Sequence, residues 1–487
     1  MQDDLVKSKL AHLEEIRKGG IQPYPHCFKR EFLAAELQEK YRTLNPGEQT
    51  NDRAIVAGRV KAIRSMGKLG FADVFDGSGK IQVSAKEDET EKQSMRLFPL
   101  IDTGDFVGAE GTVFRTKRGE LTILAKKLTL LCKSILPLPE KWHGLKDIET
   151  RYRQRYLDMV MNPEVKEVLE KRSKIISAIR EFMDNRGFVE AETPLLQPQY
   201  GGANAKPFIT HSNALDAKLY LSISPELYLK RLIVGGIEKV YTISKNFRNE
   251  DIDKTHNPEF TSLECYAAYW DYNEMMALTE DLIEFLAKKI NKSAEIEYQG
   301  TKISLKKPWK RLAIYDGLKQ AGIDAEKKTE KELEALLAKH APEYNGPKIK
   351  GLMVAELFAA LCEEKLIQPT FVTDWPIETT PLCKPHRAKK GLIERFEPVI
   401  NAWEIGNAYS ELNDPGLQRD LLEKQSKEGR ANGEQMPVDE DFIKAIEYGM
   451  PPCGGLGLGI DRIAMLLTNQ PTIKDVIAFP QMKPEKK

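Results

Sequence analysis

Two arginines and a run of acids carry the chemistry that can be read most directly from this chain. Arg248 lies in VYTISKNFRNEDIDKTHNPEFTSLECYAAY (Val240–Tyr269), and Arg462 lies in GGLGLGIDRIAML (Gly454–Leu466). A guanidinium is a planar fork of donors that can hold carboxylate or phosphate with fixed geometry. Between the two strings, GLIERFEPVINAWEIGNAYSELNDP (Gly391–Pro415) is dense in acids. Such carboxylates suit Mg2+, which takes one or two protein oxygens and completes its shell with phosphate and water. GGLGLG (Gly454–Gly459) allows close backbone approach. It lacks the GxGxxG spacing and the following acid of a dinucleotide site. Each feature is weak alone, since FRNE is usually a solvated strand end and GxGxG is as often a turn. The weight comes from two long strings occurring together in order.

The elements that must position these residues fall into distinct textures. Residues 1–50 read as a helical segment, rich in Leu, Glu and Lys and interrupted by GGIQPYP. Residues 51–135 hold five short alternating runs: AIVAGRVKAI, GFADVFD, GKIQVSA, DFVGAEGTVFRT and ELTILAKKLTLL. That spacing predicts a small closed barrel of OB type, a fold that commonly binds single-stranded nucleic acid. Residues 136–155 read as a Pro-containing linker. Over 156–487, EVKEVLEKRSKIISAIREFMDNRG repeats its apolar residues at helical spacing and stops at Gly187. Strand-like runs follow at LYLSIS, KVYTIS and FTSLECYAAY, and a Lys- and Glu-rich helical insertion spans about 325–367. The closing MKPEKK reads as a solvated tail.

The chain of 487 residues is long enough for two or three cores. It carries 73 basic and 73 acidic residues, so no net charge advertises a nucleic-acid partner. A local basic face would suffice for phosphate contacts. The charged N-terminus has no signal-peptide core, and no run approaches the roughly 18 apolar residues of a membrane span. Six scattered cysteines without a CxxC pair argue against a zinc site or disulfide framework and suit a reducing cytoplasm.

The Arg248 and Arg462 strings resemble the second and third signature motifs of class II aminoacyl-tRNA synthetases, in detail those of the lysine-specific enzymes. The resemblance covers nearly the whole chain. It implies an α+β protein, with a C-terminal antiparallel sheet flanked by helices and an N-terminal OB-fold barrel. It also implies activation of L-lysine by ATP, with Mg2+, followed by transfer to tRNA(Lys). By the same resemblance Arg248 bridges carboxylate and phosphate, and Arg462 flanks the nucleotide. Glu250 meets the adenine amino group, His256 the triphosphate, and Phe260 stacks on adenine. Glu397 also falls at the ATP site, and Glu397 and Glu404 hold the metal. Glu226 and Gly202 hold the lysine α-ammonium, and Asn407 shares the carboxylate with Arg248. Glu411 and Tyr266 meet the side chain, Glu264 lies beside the pocket, and Tyr409 packs on the aliphatic stem. An aspartate-specific enzyme would want cations where this chain offers Glu411. A protein-lysylating relative would lack the N-terminal barrel.

In the barrel, the resemblance makes Phe71 a base-stacking residue, Gln82 and Glu120 base-edge readers, and Arg64 a nearby basic contact. Lys61, Lys68, Lys80 and Arg115 could add phosphate contacts. GFVEAETPLL (Gly187–Leu196) resembles the first motif, which implies a twofold homodimer. Departures from the usual motifs are Lys245 for arginine, Asp251 for glycine, Ser222 for arginine, Lys206 for arginine, Trp270 in AYWD and Cys453 for threonine. None removes a residue with an implied chemical role. At Ser222 a lost arginine could loosen a supporting salt bridge or strand contact.

Overall fold

The computed structural model describes residues 2–139, 145–428 and 438–485. It divides into two units, Met1–Gly144 and Leu145–Lys487. Part of the expected linker (140–144) and the end of the expected tail (486–487) lie outside the described residues.

In the first unit, β1 (Gln49–Met66), β2 (Leu69–Phe75), β3 (Lys80–Lys86), β4 (Phe106–Arg115) and β5 (Leu121–Cys132) close into a barrel in the order β1-β2-β3-β5-β4. Alternation along each strand sends one face inward; Val74, Ile81, Val83, Val113 and Ile123 fill the interior. Closure brings strands close together, and a Cβ at Gly111 would lie 1.9 Å from the Leu124 carbonyl oxygen. The helices of the 1–50 segment contribute to the same core. Ile16 of helix Gln2–Lys18 and Leu37 of helix Ala34–Lys40 pack into the barrel cluster.

A buried polar network ties that first helix down. Lys9 donates to the Thr103 and Ser134 carbonyls at 2.8 and 3.2 Å, and His12 Nδ1 lies 2.9 Å from Asp102 Oδ2. Beneath them the fully buried Lys133 ammonium donates to Leu100 O, Asp102 Oδ2 and Asp105 Oδ2 at 2.8, 2.5 and 2.7 Å.

The second unit is built on a nine-stranded sheet. Its path runs Lys310–Ala313, Thr370–Pro376, Leu392–Ile400, Gly406–Ser410, Cys453–Gly459, Glu259–Ala268, Lys239–Phe247 and Val189–Glu190, with Trp403–Glu404 paired to Leu392–Ile400. The centre is antiparallel, and only the pairings at the two ends are parallel. Helices Pro163–Asp184 and Tyr272–Asn291 cover one face, where Ile175, Ile179, Leu282 and Leu286 pack on Leu263, Cys265 and Leu456. The second helix starts at a capping box: Asp271 Oδ1 accepts from Asn273 N–H at 2.7 Å, and Glu274 Oε2 accepts from Asp271 N–H at 2.8 Å. The insertion forms helices Glu330–His340 and Lys350–Cys362, whose Leu333, Leu337, Val354 and Phe358 join a second cluster with Val240, Val372 and Val399.

Lys133→Met removes the cation from beneath a fully buried Asp105. Breaking such a pair should destabilise the barrel unit by about 3 kcal/mol. Urea unfolding of the full chain, followed by far-ultraviolet circular dichroism, would show this in the barrel's transition. A change below about 1 kcal/mol would mean the network relaxes without its lysine.

Candidate active site

A cleft of about 680 Å3 opens on the second unit's sheet, and strand alternation explains what lines it. Leu263, Cys265 and Ala267 turn into the core, so Glu264 and Tyr266 between them face the cleft. On the neighbouring strand, Leu456 and Leu458 enter the same core while Gly455, Gly457 and Gly459 alternate with them. Register sets Tyr266 and Tyr409 on either side of Gly455, and Glu264 and Asn407 on either side of Gly457. A Cβ at Gly455 would meet Glu411 Oε1 at 1.9 Å and Tyr266 Cε1 at 2.5 Å. The glycine-rich string is thus a central strand forming the cleft floor, rather than a turn.

One end of the cleft is acidic. Glu226 opens helix Glu226–Val234, and Lys230 follows one turn later on the same face. Lys230 Nζ lies 2.6 Å from Glu226 Oε1 and 2.5 Å from Glu411 Oε2, and Lys230 and Glu411 are both 0% exposed. Ser224 Oγ lies 3.1 and 3.2 Å from the two Glu264 oxygens and donates to that carboxylate. Burial, and then repulsion from Glu226, pushes Glu264 up to about 8. Burial likewise takes Glu411 up to about 8 against the pull of Lys230, with Glu226 and Glu264 adding to the rise. Burial opposes the Lys230 charge, but Glu226 and Glu411 outweigh it and keep the ammonium protonated. Gly202 closes this end at a φ of 83°, a conformation that favours glycine, and a Cβ there would crowd Glu226 and Ser224 at 3.0 and 3.1 Å.

The other end is cationic. The Arg248 guanidinium lies 5.0 Å from the Phe260 ring centroid. Arg462, in the first turn of helix Ile460–Thr468, donates to the Glu404 carbonyl and lies 2.9 Å from His256 Nε2. His256 Nδ1 is held 2.7 Å from Asp253 Oδ2. Glu250 is exposed at the mouth and accepts from the Lys206 backbone N–H at 3.2 Å. The cleft brings together Gly202, Glu226, Arg248, Glu250, His256 and Phe260. It also takes in Glu264, Tyr266, Glu404, Asn407, Tyr409, Glu411 and Arg462.

Glu397 stands apart from the lining. It is buried and bonded by Arg395, which also donates to Asn407 Oδ1 at 3.0 Å. Burial raises Glu397 to about 8, and Glu404 and Glu363 reinforce the rise against Arg395. Among the described residues, no group of three or more His, Cys, Asp or Glu is placed to hold a metal ion. Lys230, Ser224 and Arg395 were missed in the sequence. An acid and a lysine four apart on a helix was the one available signal, and that pattern is usually a solvated pair.

In the barrel unit, Arg64 and Phe71 face each other across β1 and β2, with Arg64 exposed and Phe71 half-buried. Glu120 pairs with Lys80 at 2.9 Å. Gln82 is only 5% exposed; its amide donates to Asp73 Oδ1 at 3.2 Å and its carbonyl accepts from Thr122 at 3.1 Å. Arg115 is spent on the Gly119 and Tyr41 carbonyls, and Lys68 on Glu87.

This sheet and its two-ended cleft form the catalytic domain of a class II synthetase. Residues 147–483 match the family described as tRNA synthetases class II (D, K and N), and residues 54–131 match the OB-fold nucleic acid binding domain. The chain is 50% identical to the lysine–tRNA ligase of Carboxydothermus hydrogenoformans, over 99% of this chain and 98% of that one. It is 49% identical to lysine–tRNA ligase 2 of Methanosarcina mazei, over 98% and 94%. It is 48% identical to the lysine–tRNA ligase of Clostridium perfringens, over 100% and 97%. The chain belongs to the lysine–tRNA ligase family of aminoacyl-tRNA synthetases.

Two measurements check this geometry. Gly455→Ala should lower lysine-dependent ATP–pyrophosphate exchange at least about a hundredfold, because its methyl takes the place of Glu411 Oε1. Near-parental exchange would mean that the strand yields. Glu264 and Glu411, raised to about 8, are largely protonated below that pH and must ionise to accept an ammonium. The KM for lysine should therefore fall as pH rises and level off above about 8; a flat profile from pH 6.5 to 9 would contradict it.

Proposed function

We propose that this chain activates L-lysine with ATP to lysyl-adenylate and pyrophosphate, then transfers lysine to the 3′ end of tRNA(Lys). The observation that carries the choice of substrate is the charge at the acidic end. Lys230 pairs with Glu226 and Glu411 there, and Arg248 acts on Glu264 from the cationic end, so once all three acids have ionised they outnumber these two cations by one. Free lysine brings two ammonium groups and one carboxylate, which completes the neutralisation. Aspartate would bring an additional carboxylate against Glu411 and leave buried charge unpaired.

In this reading Glu226 and Gly202 take the α-ammonium, and Glu411 and Tyr266 the ε-ammonium, with Glu264 beside them. Tyr409 flanks the methylenes. Arg248 and Asn407 hold the carboxylate, whose oxygen attacks the α-phosphorus in line. A carboxylate–phosphorus bond forms as the bond to the pyrophosphate oxygen breaks. Arg248 and Arg462 offset the charge on the phosphates, and His256 is placed beside Arg462 to meet the same group. Phe260 offers the adenine a stacking face and Glu250 an acceptor for its amino group. The terminal tRNA hydroxyl then attacks the adenylate carbonyl, and AMP leaves. Catalysis is positioning and electrostatics, without a covalent intermediate or a protein general base.

Glu404 and Glu397 fit a divalent cation arriving with ATP. Two carboxylates suffice when phosphates complete the shell. The raised Glu397 has the mutual repulsion that a cation would relieve. Mg2+ bound there would neutralise the phosphates, while Arg395 holds Glu397 in place.

The tRNA reading rests on the barrel, where Phe71 would stack a base with Arg64 across from it, and Glu120, paired with Lys80, would read a base edge. Gln82 would read a base edge only by exchanging its present partners. The first-motif segment leaves Val189 and Leu196 each 53% exposed, which supports a homodimer about that edge. No helix among the described residues is long and apolar enough to cross a membrane, in keeping with a cytoplasmic site of action.

ATP–pyrophosphate exchange, run with each amino acid separately, tests the proposal: lysine alone should support it. Arg248→Ala should slow adenylate formation at least a hundredfold, about 2.7 kcal/mol of barrier. A variant within a few-fold of the parent would remove Arg248 from its role.

A further inference from the structure

The acidic end of the cleft contains a cation that is neither substrate nor part of the cleft wall. Lys230 is fully buried behind Glu226 and Glu411, and these acids, not Lys230, line the cleft. Its ammonium lies 2.6 Å from Glu226 Oε1 and 2.5 Å from Glu411 Oε2, so each carboxylate commits one oxygen to it. The contact with Glu411 is an ion pair that lies off the line of a hydrogen bond. The second oxygens are poorly served. Glu226 Oε2 has a long bond from Tyr409 Oη at 3.5 Å, and Glu411 Oε1 is buried with no hydrogen-bond partner. Glu411 Oε1 lies over Gly455, in space that exists only because that residue has no Cβ. A buried carboxylate oxygen without a donor is unfavourable until one arrives.

We propose that Lys230 is the positioning residue of the amino-acid pocket. It draws one oxygen of each acid to itself and thereby presents the other oxygen of each to one of the two ammonium groups of a single diamino acid. One internal cation then sets two acceptors that read opposite ends of the same substrate. The inference rests on the reading of Glu226 and Glu411 as the α- and ε-ammonium acceptors.

The groups facing this cation are predominantly acidic. Glu226 comes from its own helix, Glu264 and Tyr266 from strand Glu259–Ala268, and Tyr409 and Glu411 from strand Gly406–Ser410 and its end, across the glycine strand Cys453–Gly459. The thiols of Cys383 and Cys453 flank Glu411, and Arg395 reaches Tyr409 from the side. Without Lys230 the carboxylates repel one another, take up protons and turn away.

The test is lysine-dependent ATP–pyrophosphate exchange by full-length Lys230→Met from pH 6.5 to 9.5. The lysine KM near pH 7.5 should rise at least about thirtyfold, with kcat and the ATP KM within about threefold. The pH at which the lysine KM levels off should move up by about one unit or more, a change that a merely structural lysine would not produce. A lysine KM within about twofold of the parent, or an unmoved profile, overturns the proposal. Glu226→Gln, Glu411→Gln and their combination decide the matter even if Lys230→Met does not fold. Acids coupled through one cation should give strongly non-additive effects on the lysine KM, and additive effects overturn the proposal. If Glu411→Gln leaves the lysine KM unchanged, the reading of the pocket itself fails; if only Lys230→Met is silent, Lys230 alone loses its role.

Discussion

Three carboxylates buried along one side of a sheet cannot all remain ionised without cations placed among them. That constraint governs the second unit. Glu226, Glu264 and Glu411 come from three separate elements, and Lys230 is the cation in direct contact with two of them. Because Lys230 and Glu226 share a helix face, the helix must dock at one height against the sheet for the ammonium to reach Glu411. The packing of Leu229 and Ile233 from that helix with Val240, Tyr266 and Tyr409 supplies that height. The hydrophobic core fixes the electrostatics, and the electrostatics leave a charge that a diamino acid completes.

The sheet makes the site possible through its period of two. Each central strand gives alternate residues to a core sealed by two long helices and the others to the cleft. The glycines of Cys453–Gly459 extend the logic. A strand without side chains on its cleft face lets Tyr266, Tyr409 and Glu411 converge over it from both neighbours. At the cationic end, Asp253, His256 and Arg462 form a hydrogen-bonded chain across segments about two hundred residues apart in sequence, so the nucleotide side is also built by tertiary contact.

The departures from the usual motifs are absorbed locally. Ser222 is buried, its hydroxyl donates to the Ser224 carbonyl at 3.2 Å, and its backbone bonds Leu195 and Phe247. Trp270 packs edge-on against Phe188 at 6.0 Å and lies under Lys239 at 5.1 Å, bracing the entry to the first-motif segment. Lys245 pairs with Glu259 at 3.3 Å. Asp251 lines the cleft, and the Lys206 backbone bonds Glu250 and Asn249, so neither touches the buried acids.

The sequence by itself determined much of this protein. Alternating runs gave the barrel, helical spacing up to Gly187 gave the long helix Pro163–Asp184, and the Arg248 and Arg462 strings marked the cationic end of the cleft. These are local signals, because side-chain period and turn chemistry act over a few residues. The resemblance carried Glu226, Glu264 and Glu411 as separate contacts. It could not reveal that Lys230 stands between two of them, because an acid and a lysine four apart read the same whether solvated or buried. Burial also decided that Gln82 is tied to Asp73 and Thr122, that Glu397 is held by Arg395 outside the cleft lining, and that residues 1–50 share the barrel's core. Only tertiary structure could settle these points, because desolvation and partnering depend on groups brought together from distant parts of the chain.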